Sequence, residues 1–566
     1  MEIRLLLKCS LLLLFIGITN PLLITRVHGL GLSAGLLVFI LLWSVSIVSL
    51  LLLTFQRYSH TKLVLSVLIV LSSVLSFNYY IVTKQYMEFY EFEAMLNAMS
   101  NASDALTAFE GLWLGFFSAA LGLIALLLPS SKSLDVNRAR LLLPVFLVLT
   151  LFIGILFVRE GEGTKAMPVQ LTPLAYSLVV LTEKLLSPMP VNMPKVLASK
   201  KQQAFSGDIV VVMDESVRGD FLDINDQGGV YTSLKDRSIS IVNFGIAASA
   251  TNCSDTSNLS LRRGVSKGNY LKDKDYNPSL WQFAKKAGYR TAYLDAQLTG
   301  GRLGNHMSES ERNYIDIFYQ VSDSVDGVMN KDLQVAKQLH GLLNNSTRDF
   351  IYINKMGAHF PYEGKYPQSE MIYKPVMESN QFQKSYPEPG ELPHPNDYSK
   401  LMRLKFINSY KNALTWNIAS FFQELTSEPK KQPYVLLYTS DHGQSFHDDG
   451  REGYGTHCSI SHTDPEEGIV PLIVMSNEHV ILDGFKSAAA LNFNKVSHFN
   501  IAPTLYHLMG FNPKDGITTE KTMFEILNKK DQKFLSKYFV RFGSDPIWNS
   551  IEMSGRNSFD AWAGSH

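Results

Sequence analysis

The sequence predicts two architectures in one chain: an N-terminal α-helical membrane domain of five spans, then an α/β domain built on a mostly parallel sheet. Three observations lead there. Roughly the first 160 residues hold apolar runs long enough to cross a bilayer, although the mean hydropathy of the whole chain is near zero. From Gly207 onward, β-branched runs of strand length alternate with helical segments such as Ser279 to Ala287, Asp332 to Leu343 and Met402 to Leu425, the pattern of a parallel sheet covered by helices on both faces. Three of those runs end in acidic or imidazole side chains. Tyr434 to Ser440 leads into Asp441-His442-Gly443, Asp208 to Met213 into Asp214-Glu215-Ser216, and Phe350 to Met356 into Gly357-Ala358-His359. Open α/β sheets put their chemistry at the carboxyl ends of strands.

In chain order, the five spans are Leu5 to Ile24, Leu32 to Thr54, Leu63 to Val82, Leu112 to Leu128 and Leu141 to Val158. Basic residues set their orientation. Arg4 and Lys8, Arg57 and Lys62, and Lys132, Arg138 and Arg140 mark cytoplasmic ends, whereas Glu88, Glu91, Glu93, Asp104 and Glu110 belong to an outer segment, as does the short turn with Arg26. Five spans from a cytoplasmic N-terminus place everything after Arg159 on the outer face. No small-residue cleavage site follows the first run, which favours a retained helix over a signal peptide. The spans hold few ionisable residues of the kind that line a transport pathway. Residues 1–159 are thus the membrane domain. Residues 160–206, with Pro168, Pro173, Pro188, Pro190, Pro194 and an amphipathic piece near Ala175 to Leu186, read as a linker lying along the membrane surface. Residues 207–566 form the exported α/β domain, with an irregular excursion from Pro367 to Asp397 near its site.

The 566 residues carry 52 basic and 52 acidic side chains, a balance that gives no pointer to nucleic acid. The three cysteines are Cys9, inside the first span, and Cys253 and Cys458 in the exported domain. Those two are either one disulfide or two thiols. Both sit in candidate active-site segments, so a bridge would tie two catalytic loops together. Nothing in the pattern sets an oligomeric state.

Glu215, Asp441 and His442 offer the oxygen and imidazole donors that suit Zn²⁺ with an open position. The missing partner is a hydroxyl. Ala248 to Gly264 is dense in small polar residues and leads into a helix, so a Thr or Ser there would sit at a helix N-terminus, ionised by the metal and facing an anionic phosphate. Without the metal ligands, that segment would read as an ordinary N-cap. His447 and His462 read as solvated loop histidines and His498 as structural. Arg218 with Asp220 reads most simply as a surface ion pair.

Five spans followed by an exported domain with these motifs resemble the phosphoethanolamine transferases of the Gram-negative inner membrane, within the alkaline phosphatase and sulfatase superfamily. The resemblance implies an alkaline-phosphatase/sulfatase-like fold for the exported domain. It matches the family's metal-binding Glu to Glu215 in VVVMDESVRGD and its Asp-His pair to Asp441 and His442 in TSDHGQS. The substrate-side histidine falls on His359 in KMGAHFPYEGKYP, and a later one on His457 in YGTHCSISHTDPEEGIVP. By spacing, the family's threonine nucleophile, also a metal ligand, falls on Thr251 in Ser249-Ala250-Thr251-Asn252-Cys253-Ser254, with Thr256 as runner-up. Asn252 stands where the family carries alanine, and cysteines are fewer than in the family.

The resemblance implies a zinc enzyme that takes phosphoethanolamine from a membrane phospholipid, phosphatidylethanolamine, onto Thr251, then passes it to an envelope glycolipid or glycan. His359 and His457 would move the protons or hold a second zinc. It also implies a multi-pass protein of the bacterial inner membrane with its catalytic domain in the periplasm. A phosphoglycerol transferase resembling the lipoteichoic acid synthases is the enzyme alternative, and an inactive metal-binding membrane scaffold the non-enzyme one. A hydrolytic sulfatase fits less well, because the nucleophile segment lacks the Cys-x-Pro-x-Arg pattern such enzymes need.

Overall fold

Pro21 shapes the start of the chain, because it lacks the amide hydrogen that a continuing helix needs. In the computed structural model the first apolar run is accordingly a bent pair, Leu5–Thr19 and Leu23–Leu30, that turns through 67°. The side chains at the break take up the backbone carbonyls there: Thr19 Oγ1 donates to Phe15 O at 2.7 Å and Asn20 Nδ2 to Ile16 O at 2.8 Å. The structure describes residues 2–83, 86–97, 113–129, 133–186, 193–235, 241–322, 327–377, 400–446, 456–459, 463–537 and 545–552. Lys132, Asp104, Glu110, Pro188, Pro190, His447, His462 and most of the 367–397 excursion lie outside those residues. The chain divides near residue 190 into two compact units.

In the first unit, helices Ala34–Phe55, His60–Thr83 and Arg138–Val158 are long and apolar enough to cross a membrane, and the bent pair makes up to four. The expected fourth span, Leu112 to Leu128, appears as a shorter helix, Trp113–Leu127, of 15 residues. At 1.5 Å per residue that is about 22 Å, against a hydrocarbon core of about 30 Å. It nevertheless packs inside the unit. Gly122 leaves room for Phe15 and Val70, and Gly115 for Asn78. The stretch after the last long helix also packs here: Trp43 Nε1 donates to Ala166 O at 3.0 Å, Ser72 Oγ to Val169 O at 2.7 Å, and Gln170 Nε2 to Thr19 Oγ1 at 2.8 Å. Helix Thr172–Leu186 follows, with Ala175 and Tyr176 fully buried. The first part of the expected surface linker is therefore core to this unit.

The second unit is built on seven strands: β1 Asp208–Asp214, β2 Ile241–Ala248, β3 Arg290–Asp295, β4 Ile317–Gln320, β5 Asp349–Asn354, β6 Tyr434–Ser440 and β7 Ile469–Ser476. Their order is β2-β7-β6-β1-β5-β3-β4. All pairings are parallel except those of β7, which runs antiparallel to both β2 and β6. A mostly parallel sheet buried on both faces explains why β1, β5, β6 and β7 read as continuous apolar runs. A small antiparallel pair, β8 Lys533–Lys537 and β9 Ile547–Ser550, lies apart from it.

A run such as Ile209-Val210-Val211-Val212-Met213 packs almost equally well if it slips by two residues, so polar groups at its ends must set its register. At one end Asp208 Oδ1 accepts from Asp349 N at 2.7 Å. At the other, Asp214 Oδ2 accepts from Lys355 Nζ at 2.5 Å and from the Tyr438 hydroxyl at 2.7 Å. Lys355 is wholly buried and also lies 3.5 Å from Asp332 Oδ2. Asp332 in turn accepts from the Met356 and Gly357 amides at 2.7 and 3.0 Å, which fixes the turn after β5. Lys355→Met should therefore leave two buried carboxylates without their cation and cost about 3–5 kcal/mol. Chemical denaturation of the full chain in detergent would measure it. A loss below about 1 kcal/mol would show that the lysine does not hold these strands together.

Candidate active site

Strand ends converge because β1 and β6 pair in parallel with Asp214 opposite Ser440. The next residues, Glu215 and Asp441, are then neighbours, and the Asp441 amide donates to Asp214 O at 3.0 Å. Glu215, Asp441 and His442 are buried to within 2% of full enclosure, and one donor atom from each lies within 4.8 Å of the others. Gly357, at φ +47°, lets the β5 turn approach. A Cβ there would collide with the Asp214 carboxylate and sit 2.7 Å from Glu215 O.

The donor set fits a divalent cation. His442 Nδ1 donates to Gly443 O at 2.7 Å, which leaves the Nε2 lone pair facing Glu215 Oε1 at 3.5 Å and Asp441 Oδ2 at 3.8 Å. Asp441 Oδ1 is engaged by the Ser216 and His442 amides at 3.0 and 2.7 Å, whereas its Oδ2 is buried with no hydrogen-bond partner. An orphaned buried carboxylate oxygen beside an imidazole lone pair is what a metal ligand looks like before the metal arrives. The electrostatics agree. Burial and the Glu215 charge push Asp441 well up. Burial also works against ionised Glu215, yet His442 and His359 hold it well below the usual carboxylate range. Burial disfavours a proton on His442, but Asp441 and Glu215 outweigh it and raise this histidine to about 9. The three groups thus keep a proton where a cation would serve the same role.

Ser216 Oγ donates to Glu215 Oε1 at 2.8 Å, but the hydroxyl that meets both Glu215 and His442 belongs to Ser254. Its Oγ lies 3.2 Å from Glu215 Oε1 and 3.1 Å from His442 Nε2, and the residue is half-buried. The expected Thr251 is placed elsewhere. Fully buried, its Oγ1 donates to Cys253 O at 2.9 Å and sits 2.7 Å from Thr256 Oγ1 and 3.2 Å from Ser257 Oγ. Thr256 is likewise turned into this loop, toward Thr251 and Cys253 O. This placement has a local cause: the helix Ser254–Arg262 starts only after Thr251, and its first residue faces Glu215 and His442. The signal was present in the sequence, since Asp255 after Ser254 is the acidic first-turn residue that marks a helix start.

The two expected proton-transfer histidines are close by. His457 stacks on His442 with ring centroids 4.3 Å apart, and burial and His442 push it down to about 3. His359, at the turn after β5, points Nδ1 at Phe360 O at 2.6 Å and is near enough to Glu215 and His457 to shift both. Cys253 and Cys458 form a disulfide with Cα atoms 4.9 Å apart, which joins the start of the Ser254 helix to the His457 loop. Asn252, the departure noted above, donates Nδ2 to Glu467 Oε2 at 2.7 Å and to Ser459 O at 2.8 Å, fastening the same two loops.

Other residues fall into place around them. His498 is buried, pushed down to about 3, and holds the loop from beneath: its Nδ1 accepts from Ala250 N at 3.1 Å and its Nε2 lies 3.0 Å from Thr439 Oγ1. Arg218 is not a surface ion pair. It is 3% exposed, forks onto both oxygens of Asp220 at 2.8 and 2.9 Å, and lies over Phe221. Sequence patterns gave no sign of Gln297, whose Nε2 reaches Glu215 Oε2 at 2.9 Å, or of His306, paired with Asp255 at 2.9 Å.

Comparison with known proteins bears on the family and the fold. The sulfatase family model matches residues 208–511. The phosphoethanolamine transferase EptA of Helicobacter pylori is 24% identical over 234 residues, 40% of each chain. The Kdo(2)-lipid A phosphoethanolamine 7''-transferase of Escherichia coli is 22% identical over 181 residues, covering 31% of this chain and 28% of that one. The matches thus span well under half of these curated relatives. Among solved structures, the integral membrane lipooligosaccharide phosphoethanolamine transferase A of Neisseria meningitidis shares the fold at a TM-score of 0.60 and 16% identity, covering 83% of this chain and 88% of that one. With more than half its length matched by the family model, and with that match running from β1 to just past the helix Ile501–Leu508, the chain belongs to the sulfatase family.

Proposed function

We propose that the chain transfers phosphoethanolamine from phosphatidylethanolamine to an envelope glycolipid or glycan, through a covalent intermediate on Ser254, with zinc held by Glu215, Asp441 and His442. The observation that carries this reading is the half-buried Ser254 hydroxyl, within reach of both Glu215 and His442. The relatives' names support the reaction class, and one of them names lipid A as acceptor. Zinc, when bound, would lower the pKa of a nearby hydroxyl and offset charge on the phosphoryl oxygens.

The chain's own residues do the rest. Ser254 opens a nine-residue helix, whose N-terminal end favours an anionic phosphoryl group. Ser254 gives up its hydroxyl proton to solvent, and its Oγ forms a bond to phosphorus as the bond to the diacylglycerol oxygen breaks. That oxygen takes a proton from His359, since His457, pushed down to about 3, carries none to give. In the second half-reaction the acceptor oxygen gives its proton to His359 and bonds to phosphorus, and Ser254 leaves as the alkoxide and regains a proton from solvent. Thr251 and Thr256 support the loop from below. Anchoring in the membrane confines the enzyme to the surface that holds its lipid donor and raises the effective concentration. In this reading all five apolar segments span a bacterial inner membrane, the short Trp113–Leu127 included, and the sulfatase-family unit lies in the periplasm.

Incubation with phosphatidylethanolamine and no acceptor should add one phosphoethanolamine group, which fragmentation mass spectrometry localises to Ser254. Ser254→Ala should abolish the adduct and lower turnover roughly 10³-fold or more. An adduct on Thr251 would restore the family-like position, and a phosphoglycerol adduct from phosphatidylglycerol would reassign the head group. Metal analysis should find about one zinc per chain, sharply reduced in Asp441→Asn. Full occupancy in that variant would remove Asp441 from the site. A reporter fused after Arg159 should report the outer side, and a cytoplasmic signal would refute the count of five.

A further inference from the structure

Gln297 lies just past the end of β3, in a turn that polar contacts hold in place. Its amide donates to Asp295 Oδ1 at 2.9 Å, and the buried Asp295 also accepts from Asn354 Nδ2 and Gln320 Nε2, each at 3.0 Å. From this turn the Gln297 side chain reaches two acceptors with one nitrogen: Lys355 O at 2.8 Å and Glu215 Oε2 at 2.9 Å. The other Glu215 oxygen has different company. Oε1 accepts from Ser216 Oγ at 2.8 Å and faces Ser254 Oγ and His442 Nε2.

We infer that Gln297 is a positioning residue for the metal ligand Glu215, engaging Oε2 so that Oε1 alone is offered to the cation. This rests on the metal reading of the site. The residue type suits the task. A lysine or arginine at this place would donate as well, but it would set a like charge beside the cation and repel it. A neutral amide orients the carboxylate without that penalty. The second contact explains the rigidity: Lys355 belongs to the buried pair that fixes Asp214, one residue before Glu215. Gln297 therefore ties the turn after β3 to the ends of β1 and β5 at the point where the ligand must not rotate. A hydrogen bond that served stability alone would not need to divide the two carboxylate oxygens in this way.

The test uses the full chain in detergent, stripped of metal with a chelator and titrated with zinc against a chromophoric competitor. Gln297→Leu should weaken zinc binding about 10- to 100-fold, with the thermal midpoint of the metal-free protein shifted by no more than a few degrees. Gln297→Asn, too short to reach both acceptors, should show a smaller loss of the same kind. Added zinc should restore turnover in both variants. Wild-type zinc affinity in both variants would overturn the inference, as would a collapse of the metal-free midpoint in both, which would make the residue structural. Failure of the wild-type protein to take up zinc would instead overturn the metal reading on which the inference rests.

Discussion

The register of β1 between β5 and β6 is the constraint on which the catalytic unit depends. A slip of one residue would exchange the two faces of the strand, and a slip of two would carry Glu215 away from Asp441 altogether. The aliphatic centre of β1 resists neither strongly. Its polar ends do, through Asp208 with the Asp349 amide, and Asp214 with Lys355 and Tyr438. Burying such groups is costly in itself, and their return lies in specifying one alignment over its near neighbours. Here the alignment is also what assembles the ligands, so the groups that choose the fold and those that make the site are adjacent along the chain.

The site joins segments far apart in sequence, and each junction has its own fastener. The parallel pairing of β1 with β6 brings Glu215 to Asp441. The Cys253–Cys458 bridge, across 205 residues, joins the Ser254 helix to the loop of His457. By the chain-entropy argument a closed loop of that size constrains the unfolded chain by about 5 kcal/mol. Asn252 repeats the connection with hydrogen bonds to Glu467 and Ser459. A single bridge between these two loops, reinforced by an amide, here stands in place of the several disulfides of the family that the sequence resembles.

Strand ends carrying Glu215, Asp441 and His442 were legible because buried parallel strands are unbroken apolar runs, and a polar side chain at their end stands out. The layered fold followed from the same contrast. The hydroxyl was not legible: Ser249, Thr251, Ser254, Thr256 and Ser257 crowd one short segment, and which of them faces the ligands depends on where the helix begins, a matter of one or two residues. Spacing alone favoured Thr251, which the structure turns inward. Lys355, Asp332 and Gln297 form no motif, since their roles arise only when β1, β3 and β5 lie side by side. In the membrane unit, apolar composition located the long helices among the described residues, but it did not reveal helices Leu23–Leu30 and Phe89–Asn97, the break at Pro21 or the packing of residues 164–175 into the bundle.

The sheet order carries a consequence for how the protein is made. β1 is the first of the seven strands to emerge, yet its two partners are the fifth and sixth, beginning at Asp349 and Tyr434. Until more than a hundred further residues have followed, this strand, with its unbroken Ile209–Met213 apolar run, has two open edges, each a template for pairing with another chain. Such non-local pairing is slow, and the exposed edges invite aggregation meanwhile. The nascent protein is therefore most vulnerable while β1 waits for β5 and β6, and its yield in a cell should follow the supply of holdase chaperones more closely than the stability of the finished fold.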